Sequence, residues 1–388
     1  MKKIHSIALA VILVISLIFS LTSTTEASNG DEDFSSHISL HVLSGDIPES
    51  ATEYARFYFS TFTPSELIDL GFSQREVESL RLAPGITAYE YSICDAPFYY
   101  FPAVSEQGIV AVMTIIDFGD SNYSAQFGKS SFATALNNIN TRHTEPVALV
   151  ISNEGMYALD AYDNFTLLDT FFILNDVNLR SIVEQSISIE LHDIKYDIVK
   201  NSFQTIVEIS EFTIYDEKIQ TGSLRNTEEK YLNVLFVANG TNANFPGGYC
   251  WASSAASILK FRSSLPLTAI QWRDTLLANS ANNGSDSNIK SILEFYLNIA
   301  ATISDPRLNF ANIKTQINNN KPIYSHWETN NVYVGHAMVV RGYYSFDGQP
   351  SVWRVSLMDP NHTTYQTVDP SGSYVIGPHI MYWTTSVH

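Results

Sequence analysis

Gly247-Gly248-Tyr249-Cys250-Trp251-Ala252-Ser253-Ser254-Ala255-Ala256-Ser257-Ile258-Leu259 decides how the rest of the chain is read. A Gly/Asn-rich loop, Asn239 to Tyr249, ends in Pro246 and two glycines. The small and apolar run that follows predicts a buried helix opened by Cys250. A thiol at a helix N-terminus feels the positive end of the macrodipole, which favours thiolate. The glycines let a second backbone come close. A buried structural cysteine is the competing interpretation. A neighbouring base would separate the two.

Working outward, the C-terminal part holds five histidines: His326, His336, His362, His379 and His388. His336 opens an apolar strand in Val334-Gly335-His336-Ala337-Met338-Val339-Val340. Strands are expected at Ala337–Tyr344 and Val352–Met358, joined by a turn around Asp347-Gly348. Pairing them so that opposed numbers sum to 695 puts Met338, Val340 and Gly342 opposite Leu357, Val355 and Trp353. That register sets His336 opposite Asp359, within reach of a hydrogen bond. It also puts Arg341 opposite Arg354, on a face expected to be in solvent. Asn361 competes with Asp359 as the group orienting the ring, and His326 competes with His336 as the base. Asn244, six residues before Cys250, is a candidate oxyanion donor beside the Cys250 backbone N–H.

Other chemistries lack their signatures. There is no HExxH pair, and two cysteines, Cys94 and Cys250, cannot build a cysteine-rich zinc site. No phosphate-binding glycine loop is present. Neither half offers a basic surface for nucleic acid. No metal and no cofactor is expected.

The run Gly247–Leu259 resembles the nucleophile helix of papain-like cysteine peptidases, in which Cys-Trp-Ala is typical. Gly335–Tyr344 resembles their histidine strand, and Ser356-Leu357-Met358-Asp359-Pro360 the strand end bearing the third residue. Phe310–Tyr324 is similar to the helix and Lys-Pro strand of the compact bacterial members, among them staphopain-like and streptopain-like peptidases and bacteriocin-leader peptidases. The resemblance covers residues 231–388. It implies an α+β peptidase domain, with a helical half and an antiparallel-sheet half, and a protein or peptide substrate cut through Cys250, His336 and Asp359. The same residues also fit other acyl transfers (amidase, transglutaminase-like, peptide ligase) or an inactive papain-like domain kept for binding. The family usually has Gln where Asn244 stands.

The first part of the chain differs in character. Lys2 and Lys3 precede an apolar run, Ile7–Leu21, and small residues to Ala27. This reads as a signal peptide over residues 1–27. The run is short for a spanning helix, so no stable membrane insertion is expected once it is removed. A secreted bacterial protein follows, with cell-envelope association as an alternative. Residues 28–230 carry 11 Lys and Arg against 31 Asp and Glu, net −20, whereas residues 231–388 carry 9 against 8, net +1. An acidic α+β prodomain at 28–230 is expected, with helices at Pro48–Phe62, Ser73–Leu82 and Leu179–Lys200. Strands are expected at Phe98–Val104, Gly108–Phe118, Pro146–Ser152 and Gly155–Ala161. The polar stretch Thr221–Lys230 reads as its linker. Exported members of the family are often zymogens, which implies that this half inhibits the peptidase until it is cut. Cys94 is a candidate for capping Cys250.

Overall fold

Thr63-Pro64-Ser65-Glu66 and Ser73-Gln74-Arg75-Glu76 are helix starts written in the sequence, and both operate. The structure is a computed structural model describing residues 40–90, 96–152, 155–170, 194–202, 207–209, 227–240, 248–279, 282–329, 335–346, 352–369, 372–376 and 379–388. Helices α1 (Glu49–Ser60), α2 (Pro64–Asp69) and α3 (Gln74–Ser79) follow one another near its start. Thr63 caps α2 through the Glu66 N–H, with Pro64 in the first turn. Ser73 and Glu76 form a capping box on α3. The predicted helices at 48–62 and 73–82 correspond to α1 and α3. Helix α2 was not predicted, although its cap, proline and glutamate are the usual signals.

Two further helices, α4 (Ser131–Arg142) and α5 (Tyr196–Ser202), belong to the first half, and α6 (Cys250–Arg262), α7 (Ala269–Ala278), α8 (Asp286–Leu297) and α9 (Phe310–Asn318) to the second. The strands in chain order begin with β1 (Val42–Ser44), β2 (Arg81–Leu82), β3 (Tyr89–Glu90), β4 (Phe98–Ser105), β5 (Gly108–Asp117) and β6 (Tyr123–Gly128). Next come β7 (Val147–Ile151), β8 (Gly155–Leu159), β9 (Phe165–Thr170), β10 (Val207–Ile209), β11 (Thr227–Tyr231) and β12 (Ile303–Ser304). The last are β13 (Ile323–Thr329), β14 (Gly335–Phe346), β15 (Val352–Met358), β16 (Gln366–Val368), β17 (Ser373–Ile376) and β18 (His379–Val387). This mixed α+β architecture fits a papain-like peptidase domain. No helix among the described residues is long and apolar enough to cross a membrane.

The described strands form a 6-stranded sheet from the first half and a 12-stranded sheet shared by both halves. The halves join where β16 pairs with β6, Gln366 opposite Gly128 and Val368 opposite Gln126. Side chains alternate across this sheet. One face carries Phe101, Met113, Phe127 and Val352 into a core covered by α1 to α3. The other carries Tyr100 and Val112 against Phe132 of α4 at one end, and Leu357, Val355 and Val368 into the core of the second half.

Three local expectations change. Leu232–Ala238, expected as a strand, has no strand structure; the strand is β11, which takes up Thr227–Lys230 of the expected linker and pairs with β14. In the β14–β15 hairpin Val340 opposes Leu357 and Tyr343 opposes Val355, not the 695 pairing. A bulge at Arg341 accounts for the change of register along the hairpin. Arg341 and Arg354, expected in solvent, are 1% exposed. Arg354 Nε and Nη2 reach both oxygens of Glu66, at 2.7 and 2.5 Å. Arg341 Nη1 and Nη2 reach both oxygens of Asp69, at 2.6 and 2.5 Å. Helix α2 thus brings two carboxylates to two arginines that would otherwise bar burial of this face. The tip of the hairpin at Asp347-Gly348 lies outside the described residues.

Candidate active site

Helix α6 has Cys250 as its first residue, and Tyr249 before it offers no side-chain cap. The helix is buried from Trp251 through Leu259, which its alanines and serines permit by leaving little side-chain bulk. One turn along, on the face of Cys250, Ser254 donates to the Ala337 carbonyl at 2.9 Å. Ala337 follows His336, so this bond holds the cysteine's side of the helix against the start of the histidine strand. Before the helix, Gly248 has φ +105, a conformation that favours glycine.

His336 and Asp359 meet inside the protein. His336 Nε2 lies 2.7 Å from Asp359 Oδ1, with the two residues 5% and 0% exposed. The predicted partnership is therefore present, although the register differs from the predicted one. A shift of two residues preserves side-chain parity, and Asp359 lies just past the end of β15. Burial alone would push the Asp359 carboxyl up. The charge and hydrogen bond of His336 outweigh it, helped by His362 and the Asn361 N–H, and hold it below the usual carboxylate range. Burial would likewise lower His336. The charge and hydrogen bond of Asp359, followed by the hydrogen bond and charge of Cys250, raise it instead to about 10. With Nε2 committed to the carboxylate, Nδ1 is the ring nitrogen outside that bond. Cys250 is a free, half-buried cysteine.

Two residues hold the carboxylate that sequence reasoning did not assign to it. Tyr374 Oη donates to Asp359 Oδ2 at 2.9 Å, and the Asn361 N–H donates to Oδ1 at 2.8 Å. Tyr374 gave no signal, since nothing in an apolar strand marks which tyrosine meets a distant aspartate. The Asn361 side chain does not take the orienting role. Its Oδ1 accepts from Asn239 Nδ2 at 2.9 Å. Asn239 Oδ1 in turn accepts from the N–H groups of Gly240 and Tyr249, at 2.8 and 3.0 Å. Asn239 therefore ties the loop before the nucleophile to the loop after the carboxylate. His326, the alternative base, lies 3.3 Å from Asp286 Oδ1 and 3.9 Å from Glu328 Oε1. It has its own acidic partners and is not the ring on Asp359. Asn244 and Cys94 lie outside the described residues. No group of three or more metal-binding side chains is present among the described residues.

A cysteine at the start of a helix that packs on the strand of an imidazole held by a buried carboxylate can form a nucleophile with its own proton carrier. Residues 231–376 match the family described as Peptidase_C39 like family. The match supports a cysteine peptidase of the papain-like and C39 kind. It lies within the second half of the chain, includes α6 and the strands bearing His336 and Tyr374, and ends before β18. No curated protein matches the chain.

Proposed function

We propose that the chain is a secreted cysteine endopeptidase acting through Cys250, His336 and Asp359. The observation that carries this reading is the 2.7 Å bond from His336 Nε2 to Asp359, at the start of the strand that Ser254 of the Cys250 helix holds. The thiolate of Cys250 adds to a peptide carbonyl carbon. As the C–N bond breaks, the imidazolium gives its proton to the leaving amine, and a thioester remains. Water then attacks the thioester while His336 takes its proton, releasing the acid and restoring the thiol. Asp359 fixes the tautomer and supports the positive ring. The Cys250 N–H and Asn244 are the proposed oxyanion donors. This chemistry requires no metal or organic cofactor.

The test is labelling with an epoxide selective for activated thiols, alongside hydrolysis of unfolded protein. Both should vanish in Cys250→Ala and His336→Ala, with hydrolysis falling by about 10³-fold or more. Labelling that survives in His336→Ala would sink the reading. Transfer to an added amine in preference to water would turn it toward another acyl transfer.

Export and zymogen activation complete the proposal. The apolar segment in residues 1–27 and the charge split, net −20 against +1, support them. The first half would act as the inhibitor until a cut within 221–230. The Arg341–Asp69 and Arg354–Glu66 pairs, with the β16–β6 pairing, argue that the cut pieces stay in one particle. Mass spectrometry of the secreted Cys250→Ala chain beside wild type checks both points. An active enzyme that is never cut would end the zymogen idea.

A further inference from the structure

The face of the large sheet that carries Asp359 can be followed, strand by strand, into the first half. Leu357, two residues before Asp359, opposes Gln366. Gln366 opposes Gly128, and Gly128 opposes Val112. Opposed residues share a face, so one surface runs from the carboxylate across β16 and β6 to β5. A cleft of ≈ 770 Å³, its solvent-open part included, lies on that surface. Its near end is the loop of Asp359, Asn361 and His362; its far wall is Phe132 of α4 with Met156 of β8. His362 stands at the junction, its Nε2 3.7 Å from Asp359 Oδ2.

We infer that this cleft is a substrate groove in which the first half of the chain holds the part of the polypeptide that follows the cut bond. The assignment rests on the peptidase reading. The imidazole protonates the leaving amine, so the leaving chain departs on the side of the ring, and Asp359 backs that ring. A few residues of extended chain, at about 3.3 Å each, carry the polypeptide past the ring to the 359–362 loop and into the cleft. The occupant is an extended peptide that presents an apolar side chain to Phe132, Met156 and Ile376. Thr114 and Gln126 line the floor and suit its main chain. The first half is then part of the recognition surface as well as a proposed inhibitor.

Ser131, an exposed residue of the cleft at the start of α4, allows a test that spares the core. Two substrates are compared: pooled internally quenched peptides that continue beyond the cut, and pooled peptidyl aminocoumarin amides that end at it. Ser131→Trp should lower the long-to-short ratio of kcat/KM at least tenfold, and Ile376→Arg, at another lining residue, should lower it in the same direction. Ratios within twofold of wild type in both variants, each melting like wild type, overturn the groove alone. A wild-type chain that cleaves neither substrate overturns the peptidase reading and the groove with it.

Discussion

Arg354 and His336 both meet a carboxylate where there is almost no water, and they are put to different ends. Arg354 and Glu66 are each 1% exposed, and His336 and Asp359 are 5% and 0%. The arginine is consumed on every side. Two of its nitrogens hold Glu66, Nη1 donates to Thr61 Oγ1 at 2.7 Å, and its plane lies 4.1 Å from the Phe62 ring centre. Burial alone would lower it, but Glu66 holds it above its ordinary value. The imidazole has its carboxylate on Nε2 and leaves Nδ1 outside that bond. Burial and pairing are common to both sites. In the proposed reading, the second site differs by the ring nitrogen left outside the carboxylate bond, which would serve the half-buried Cys250.

The two pairs should therefore break differently. Asp359→Asn keeps the size of the orienting group and inverts its hydrogen-bonding role toward the ring. In a hydrolase of this type kcat should fall by about 10² to 10⁴, with the fold retained by circular dichroism. Glu66→Ala should do the reverse. Removing one partner of a buried pair strands the other charge, at a cost of about 3–5 kcal/mol in urea unfolding. Activity per folded molecule should stay close to wild type. If Glu66→Ala instead removes activity from a chain that unfolds like wild type, the contrast between the two faces is wrong.

The pairs also separate by pH. His336 is raised from its ordinary value to about 10 in the folded protein. A group raised on folding stabilises fully below its unfolded pKa, near 6.5, and that stabilisation is lost as pH climbs toward the folded value. Unfolding free energy should thus decline between about pH 6.5 and 10. The basic limb of kcat/KM should lie near the upper end, where the imidazolium disappears. Asp359→Asn removes the largest upward contribution, so it should flatten the stability slope and draw the limb toward neutrality. An unshifted limb in that variant would show that another group titrates there.

The candidate residues Cys250 and His336 were legible because they stand out in local pattern. The Cys250 helix announces itself by composition, and His336 and Asp359 meet as expected because the bulge at Arg341 restores the parity that the displaced turn-side pairs would break. The exact pairing was not legible, because the pairs from Gly342–Ser356 to Phe346–Val352 are already displaced from the expected ones and a bulge at Arg341 shifts the rest by one residue, neither marked in the sequence. Arg341 and Arg354 were misplaced for a different reason. Their partners, Asp69 and Glu66, lie 272 and 288 residues away, beyond any pattern a strand can display. Asn239 was visible only as the first residue of a Gly/Asn-rich loop, yet its side chain joins the two loops of the site.

The smallest effect is expected at Tyr374, and it tests how far the proposed catalytic pair extends. Its hydroxyl bonds Asp359 Oδ2, the oxygen that His336 does not use. Its strand is fixed from the first half: Ser373 Oγ donates to Ser124 Oγ at 3.1 Å, and the Val375 N–H donates to Gln126 Oε1 at 2.9 Å. Tyr374→Phe removes one hydrogen bond and leaves the ring beside Trp327. A net loss of about 0.5–1.5 kcal/mol corresponds to a two- to twelvefold drop in kcat with KM retained. The double-mutant cycle decides whether the hydroxyl acts through the carboxylate. In an Asp359→Asn background the same substitution should cost less than twofold. An equal cost in both backgrounds would mean that Tyr374 serves the packing of the sheet, and that the working pair ends at Asp359.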